Sequence, residues 1–576
     1  FDTECVDPLP DECEALGIRW TSATHDASSS ATGSSVFDFE GDGVAEALYA
    51  DECFLRIYDG SSGTVLFSQG RSSGTLFEFP VVADVDGDGN LEVVFGTASG
   101  YVYVLRGTGA PVWSKQVSAT RSVPYTPQVA DLDGDGKMDV VVLTNDPSVV
   151  RLNSTGSIIW TVSYTNANIP YSTLTLLDVN ADGVLDVLVG GKANQVDALN
   201  GTNGALIRSF PAGSGTYTSS ILDINGDGRG EILFASDDGL VHAYDTNGTQ
   251  LWANAPAGTT FIENSLAIGD LNNDGVPEVV TGDDGNGGPE FALNGTNGAV
   301  VWSTILPSYR EGGQTLADLG QDGGLDVVAG IFSGSLYALD GTNGSTLWTA
   351  GGSTTQPMSP AFVDIDKDGQ PELIYLTDQG TSVRVLNRTG GLVYSWAVTA
   401  NDPGLRGLSQ LPMATPAVAD VNGDGTLEVI VPTGSGVQAF ATGGLSRDWR
   451  TWGYNWNHTH RALDGNSPDG APFLQASFGA AQVYPATGAS WAYRNGVTPW
   501  ATAGGDFDVP EADVTGAVGW MSWNVTRMVQ DWHVGTFPNV GLVLTEADEA
   551  SGPLRVFVSS VSPIATQRPM LTVTYT

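Results

Sequence analysis

Basic side chains are scarce in this sequence. Only 23 Lys and Arg stand against 66 Asp and Glu, so the 576 residues carry a net charge of −43. Such a surface repels phosphate backbones and anionic headgroups, which argues against nucleic-acid binding and against attachment to an anionic membrane. No apolar run approaches the roughly 20 residues of a membrane-spanning helix. Histidine is rare and scattered; His458 and His460, two apart beside Trp456, read as part of a packed tail rather than a zinc pair. No Gly-x-Ser-x-Gly elbow, phosphate loop or His-Glu-x-x-His is present. No carboxylate pair stands out for glycoside hydrolysis, so we expect no catalysis and name no catalytic residue.

Cysteine is almost missing too. Cys5, Cys13 and Cys53 allow one disulfide and one leftover thiol. We expect a clasp on the N-terminal segment; three reduced cysteines are the alternative. A start at Phe1 without a signal-like segment reads as a processed mature chain.

What the sequence has in quantity is one acidic window, seen in Asp84-Val-Asp-Gly-Asp-Gly-Asn-Leu-Glu92. Carboxylates fall at positions 1, 3, 5 and 9, and glycines at 4 and 6. Ca²⁺ takes six to eight oxygen ligands, and a glycine-bearing turn lets several carboxylates converge. Position 7 would add its backbone carbonyl. The window resembles the first part of an EF-hand loop but lacks the glutamate at position 12. Strand-like residues, not helices, flank it.

The window occurs nine times. The first holds Asp38, Glu40, Asp42 and Glu46, and the second Asp84, Asp86, Asp88, Asn90 and Glu92. The third holds Asp131, Asp133, Asp135, Lys137 and Asp139, and the fourth Asp178, Asn180, Asp182 and Asp186. Asp223, Asn225, Asp227, Arg229 and Glu231 form the fifth; Asp270, Asn272, Asp274 and Glu278 form the sixth. The seventh has Gly320 at position 3, leaving Asp318, Asp322 and Asp326 as the weakest site. Asp364, Asp366, Asp368, Gln370 and Glu372 make the eighth, and Asp420, Asn422, Asp424 and Glu428 the ninth. These windows contain 31 of the 66 acidic residues, so nine bound calcium ions would bring the net charge to −25. Cytosolic free calcium is too low to fill moderate sites, which points to an extracellular location.

Successive windows lie 46, 47, 47, 45, 47, 48, 46 and 56 residues apart, a period typical of propeller blades. Each unit has one grammar: a strand into the acidic turn, a second out of it, a third such as Leu336-Tyr-Ala-Leu339, a turn such as Asp340-Gly-Thr-Asn-Gly344, and a fourth with Trp348. Asn-Gly and Asp-Gly between apolar runs make hairpins because they tolerate positive φ. Most Asn-x-Ser/Thr matches fall in these turns, so turn chemistry accounts for them. Trp113, Trp160 and Trp252 each precede the next window by 18 residues, and so does Trp20. Trp20 therefore holds a fourth-strand position whose other three strands lie elsewhere, and the unit after Asp420 lacks that strand. We expect the N-terminal strand to complete the last blade of a nine-bladed ring, with seven or eight blades plus a divergent unit left open.

Val-x-Asp-x-Asp-Gly-Asp-Gly-x-x-Glu-Val-Val with its Phe-Gly step resembles the FG-GAP (integrin α-type, VCBS-like) propeller repeat over about 18–463. The stretch 338–348 is also similar to quinoprotein propeller repeats. Trp449-Arg-Thr-Trp-Gly-Tyr-Asn-Trp-Asn-His-Thr-His-Arg461 resembles the tail of bacterial propellers. The resemblance implies calcium in the acidic turns and binding or adhesion rather than chemistry. A quinone-dependent enzyme is the catalytic alternative, resting only on tryptophans that blade packing also explains.

The expected organisation is a lead-in at 1–17, an all-β propeller at 18–463, a linker at 464–472 and a jelly-roll-like β segment at 473–576. Residues 487–576 resemble the C-terminal half of a DNRLRE module, related to carbohydrate-binding domains. Two arrangements cover the missing half: another chain completes the sandwich, allowing self-assembly into a filament, or residues 473–486 and the propeller flank do so. The expected partner is a protein or glycan ligand at a surface. Its contact residues would lie on the face opposite the acidic turns, at Arg121, Tyr164, Tyr171, Tyr309, Arg310 and Arg406, types enriched at binding hot spots.

Overall fold

In the computed structural model the described residues are 18–442, except 25–33, 40–43, 52, 71–78, 120–122, 124, 165–173, 191–193, 218, 226–228, 263–265, 286, 309–313, 321, 332–334, 352–359, 364, 366–370, 378–381, 399–415, 424–425 and 434–435. The chain divides into two units, Phe1–Asp464 with Ala476–Gln482 and Gly465–Gln475 with Val483–Thr576. Every described residue belongs to the first. The expected jelly-roll segment and its linker lie outside the described residues.

The described residues form nine four-stranded antiparallel sheets and no helix, so the fold is an all-β, nine-bladed propeller. The innermost strands of blades 1 to 9 are Ser35–Phe37, Val81–Ala83, Gln128–Ala130, Thr175–Leu177, Ser220–Leu222, Ala267–Gly269, Thr315–Ala317, Ala361–Val363 and Ala417–Ala419. Blade 2 continues outward through Glu92–Gly96, Tyr101–Arg106 and Pro111–Gln116. Its acidic turn joins the first two strands. That turn and the hairpin between strands three and four therefore share one face of the ring, and the remaining connections lie on the other.

Burial explains the grammar of the repeat. Second strands such as Glu92–Gly96 are buried at every residue because both faces of a blade are covered by neighbouring blades. The outermost strands alternate, as in the exposed and part-buried residues of Val65–Gly70. Most apolar clusters bridge two adjacent blades; one joins Val81, Val94 and Val104 of blade 2 to Val129, Val140 and Val150 of blade 3. Each fully buried valine or leucine there stabilises the ring by about 1.5–3 kcal/mol.

In six blades a fourth-strand tryptophan locks the joint through its indole N–H. Trp302 Nε1 donates to the Gly341 carbonyl of the next blade at 2.7 Å, and Trp252 does the same to Gly295. The aromatic lies mid-strand, within Thr346–Ala350 for Trp348. In the 340–344 hairpin both glycines are required. A Cβ on Gly341 would strike the Leu325 carbonyl oxygen, and Gly344, at φ 72°, lies against the Trp302 ring.

Ring closure follows the expectation from Trp20. Ile18–Ser22 pairs antiparallel with Gly436–Ala441 as the fourth strand of blade 9, placing Trp20 opposite Ala439. From there Trp20 docks on blade 1. An N-terminal strand that both completes the last blade and grips the first leaves no open joint in the ring.

Candidate metal centre

Each acidic turn is organised by its own carboxylates. Asp84 Oδ1 accepts from the backbone N–H groups of Gly87 and Asp88, and Oδ2 from Gly89 at 2.9 Å. Asp131 repeats this with Gly134, Asp135 and Gly136. Asp178, Asp270 and Asp318 likewise accept from positions 5 and 6. Position 5 then accepts from the N–H of position 7, as Asp88 does from Asn90 and Asp135 from Lys137. A short polar side chain bonding backbone ahead of it is what bends the loop.

Position 9 does something the sequence did not reveal. In all nine turns its carboxylate accepts from the N–H of position 2, at 2.8–3.1 Å. Glu46, Glu92, Asp139, Asp186, Glu231, Glu278, Asp326, Glu372 and Glu428 are all buried. Burial pushes Glu92, Asp186 and Glu278 up to about 7, and Asp139 and Asp326 to about 6, against the opposing pull of the position-2 N–H. A desolvated carboxylate held this way favours a nearby cation.

Three carboxylates converge in two of the described turns. Asp84, Asp86 and Glu92, and Asp131, Asp133 and Asp139, each offer oxygens within 4.8 Å of one another, and these groups could hold a metal ion. The sixth turn supplies a different test of fit. Asn272 donates from Nδ2 to Glu278, while its Oδ1 is buried with no hydrogen-bond donor, in the turn that also holds Asp270 and Asp274. An orphaned buried oxygen among carboxylates suits a hard cation. In the seventh turn Gly320 replaces the third ligand, and its N–H bonds Asp326. With Leu319 and Gly341, three backbone N–H groups occupy that carboxylate.

Arginines reach carboxylates of the second, third and ninth turns. Arg106 approaches Asp86 at 2.9 Å, Asp88 at 2.7 Å and Glu92 at 3.2 Å. Arg151 lies 2.6 Å from Asp133 and 2.8 Å from Asp139. Arg19, on the closing strand, lies 2.8 Å from Glu428. None of these arginines falls inside the nine-residue windows.

The turns also touch the joints. Thr202 and Thr296 donate to the position-2 carbonyls of Leu132 and Ile224 in the preceding blade, and Arg388 does so to Leu319. The turn and the interblade joint are therefore one bonded unit.

Other sequence candidates are placed unevenly. Asn225 and Asn422 donate to Glu231 and Glu428, as Asn272 does to Glu278. Glu40, Asp42, Asp227, Asp364, Asp366, Asp368, Gln370 and Asp424 lie outside the described residues. So do Arg121, Tyr171, Tyr309, Arg310 and Arg406. Tyr164 is half-buried and packs against the apolar cluster of Tyr125, Leu174 and Val189 with its hydroxyl buried. Cys53 is a free, exposed thiol, while Cys5 and Cys13 lie outside the described residues.

The geometry defines a nine-bladed β-propeller with acidic turns on one face. The family model of the FG-GAP-like repeat matches residues 84–142, 131–189, 223–281 and 364–431, so the chain carries FG-GAP-like repeats. No curated protein matches the sequence. Several solved structures are similar. The V. cholerae biofilm matrix protein Bap1 shares 16% identity at a TM-score of 0.46, over 76% of this chain and 92% of that one. The rhamnogalacturonan lyase YesW shares 17% at 0.48, over 78% and 97%. The quinohemoprotein alcohol dehydrogenase ADHIIG from Pseudomonas putida HK5 shares 14% at 0.43, over 63% and 72%. They include enzymes and a matrix protein, and decide nothing about activity here.

Proposed function

We propose that this chain is a secreted, calcium-stabilised, VCBS-like binding protein that serves adhesion or surface assembly and carries out no catalysis. The observation that carries this is the sixth turn, where the orphaned Asn272 Oδ1 lies with Asp270, Asp274 and Glu278. Bound calcium would neutralise the turn's carboxylates. Asp270, Asn272, Asp274 and Glu278 would hold it there, and Asp84, Asp86 and Glu92 in the second turn.

With calcium on one face, the opposite face is left for a protein or glycan ligand, at Arg121, Tyr309, Arg310 and Arg406. Residues 473–576 are proposed as a DNRLRE-like module beyond a linker at 464–472. Glycan and matrix-protein arrays probed with the full chain in calcium test the reading. We expect binding that Tyr309→Ala with Arg310→Ala weakens without lowering the melting temperature. Binding unaltered by that pair contradicts the assigned face, and turnover of any arrayed glycan contradicts the non-catalytic role.

A further inference from the structure

The nine acidic turns are not equivalent, and Arg151 marks the difference. Its Cα partner across the strand pair is Trp160. In every other blade the matching residue, opposite the fourth-strand side chain, is small or medium and apolar. It is alanine in five blades, such as Ala292 opposite Trp302, and valine or isoleucine in three, such as Val104 opposite Trp113. An arginine in that row has its stem between blades and no route to bulk water. It is 0% exposed, heading the largest fully buried side chains of the described chain.

Its guanidinium is placed to meet the acidic turn from below. Nη2 donates to Asp133 Oδ2 at 2.6 Å and to Asp139 Oδ2 at 2.8 Å, the candidate ligands at positions 3 and 9. Nη1 donates to the carbonyls of Gly201 at 3.0 Å and Thr202 at 2.9 Å in the next blade. The Gly201 carbonyl also receives Trp160 Nε1 at 2.8 Å. The cation thus serves two carboxylates and a joint at once.

We propose that Arg151 is the resident cation of the third turn, standing where the other turns take calcium, so that this turn is metal-independent in the native chain. The inference rests on the calcium reading of the remaining turns. A calcium ion and a guanidinium bonded to the same two carboxylates compete for the same charge, and the buried guanidinium cannot leave without stranding its charge in the interior. Arg106 in the second turn is the contrast. It is one-third exposed and reaches its carboxylates from the end of its strand, so it can turn to solvent and yield to calcium.

The test counts calcium on the full chain by equilibrium dialysis with the metal alone, alongside melts in EDTA and in calcium. Asp133→Asn in the native background should leave the count unchanged, whereas Asp274→Asn should lower it by one. Arg151→Ala, which restores the residue of five other blades, should add one calcium, melt lower in EDTA and recover in calcium. Loss of one calcium in Asp133→Asn overturns the inference while leaving the general calcium reading intact. No calcium on the native chain but one on Arg151→Ala overturns the general reading and the inference with it, since no other turn then takes calcium. No calcium on either overturns both. Should Arg151→Ala fail to fold, the Asp133→Asn and Asp274→Asn counts decide alone.

Discussion

Trp20 Nε1 donates to the carbonyl oxygen of Gly60 at 2.6 Å, across the joint between the last blade and the first. The two residues are 40 apart in sequence, yet Trp20 belongs to blade 9 through its pairing with Ala439. One side chain therefore records that the two ends of the ring are tied together.

Replacing this tryptophan separates its two contributions. Trp20→Phe keeps most of the apolar contact and loses one hydrogen bond, a cost of about 1 kcal/mol. Trp20→Ala also opens a cavity at the closing joint, a cost of about 3–5 kcal/mol. Urea unfolding of both variants measures this. Equal losses would mean that packing at the joint contributes nothing beyond the bond.

Gly341, in a hairpin, and Gly351, just past an outermost strand, should respond to substitution according to their surroundings. A methyl at Gly341 meets the Leu325 carbonyl, so Gly341→Ala should destabilise by at least the 1–3 kcal/mol typical of overpacking. Gly351→Ala has nothing within 4 Å and should be nearly silent. Melting temperatures of the two variants check the ordering, and a silent Gly341→Ala would contradict the joint geometry.

Acid should reduce the contribution of His242 to the stability of the ring. Its imidazole is buried beside the rings of Phe234 and Tyr244, and burial holds its pKa below the ordinary value despite Asp238 at 3.2 Å. The unfolded state then binds more protons just below the ordinary histidine pKa of about 6.5, so stability falls as pH drops through that range. The slope from this group is at most about 1.4 kcal/mol per pH unit. The buried position-9 carboxylates, held up at about 6 to 7, act with the opposite sign over the same range. The native chain is therefore compared with His242→Phe at pH 7, 6 and 5. The difference should shift against the native chain as pH falls, and a constant difference would contradict the assignment.

Much of this architecture was legible in sequence. The 46-residue period, the acidic turn and the 18-residue step from tryptophan to aspartate are local or periodic signals, and they anticipated the nine blades and the closing strand. Two other features are relationships between strands. The bond from the position-2 N–H to Glu92 or Asp186 depends on how the turn closes, since its donor is a backbone group of an apolar residue. Arg151 looks like an ordinary strand residue until the register sets it beside Trp160 and beneath Asp133. The packing of Tyr164 was hidden for a similar reason, because this residue just past the strand Ile158–Ser163 lies against the cluster of Tyr125, Leu174 and Val189.

The central claim is that acidic turns hold calcium and that the ring depends on it. Calorimetry of the full chain in EDTA and in calcium, beside Asp270→Asn, tests this most directly. A ligand bound only by the folded state adds about 2.7 kcal/mol per site at a hundredfold excess over its dissociation constant. We expect a melting temperature that falls steeply in EDTA, returns with calcium, and responds less to calcium in Asp270→Asn than in the native chain. Superimposable melts with and without calcium would contradict the account.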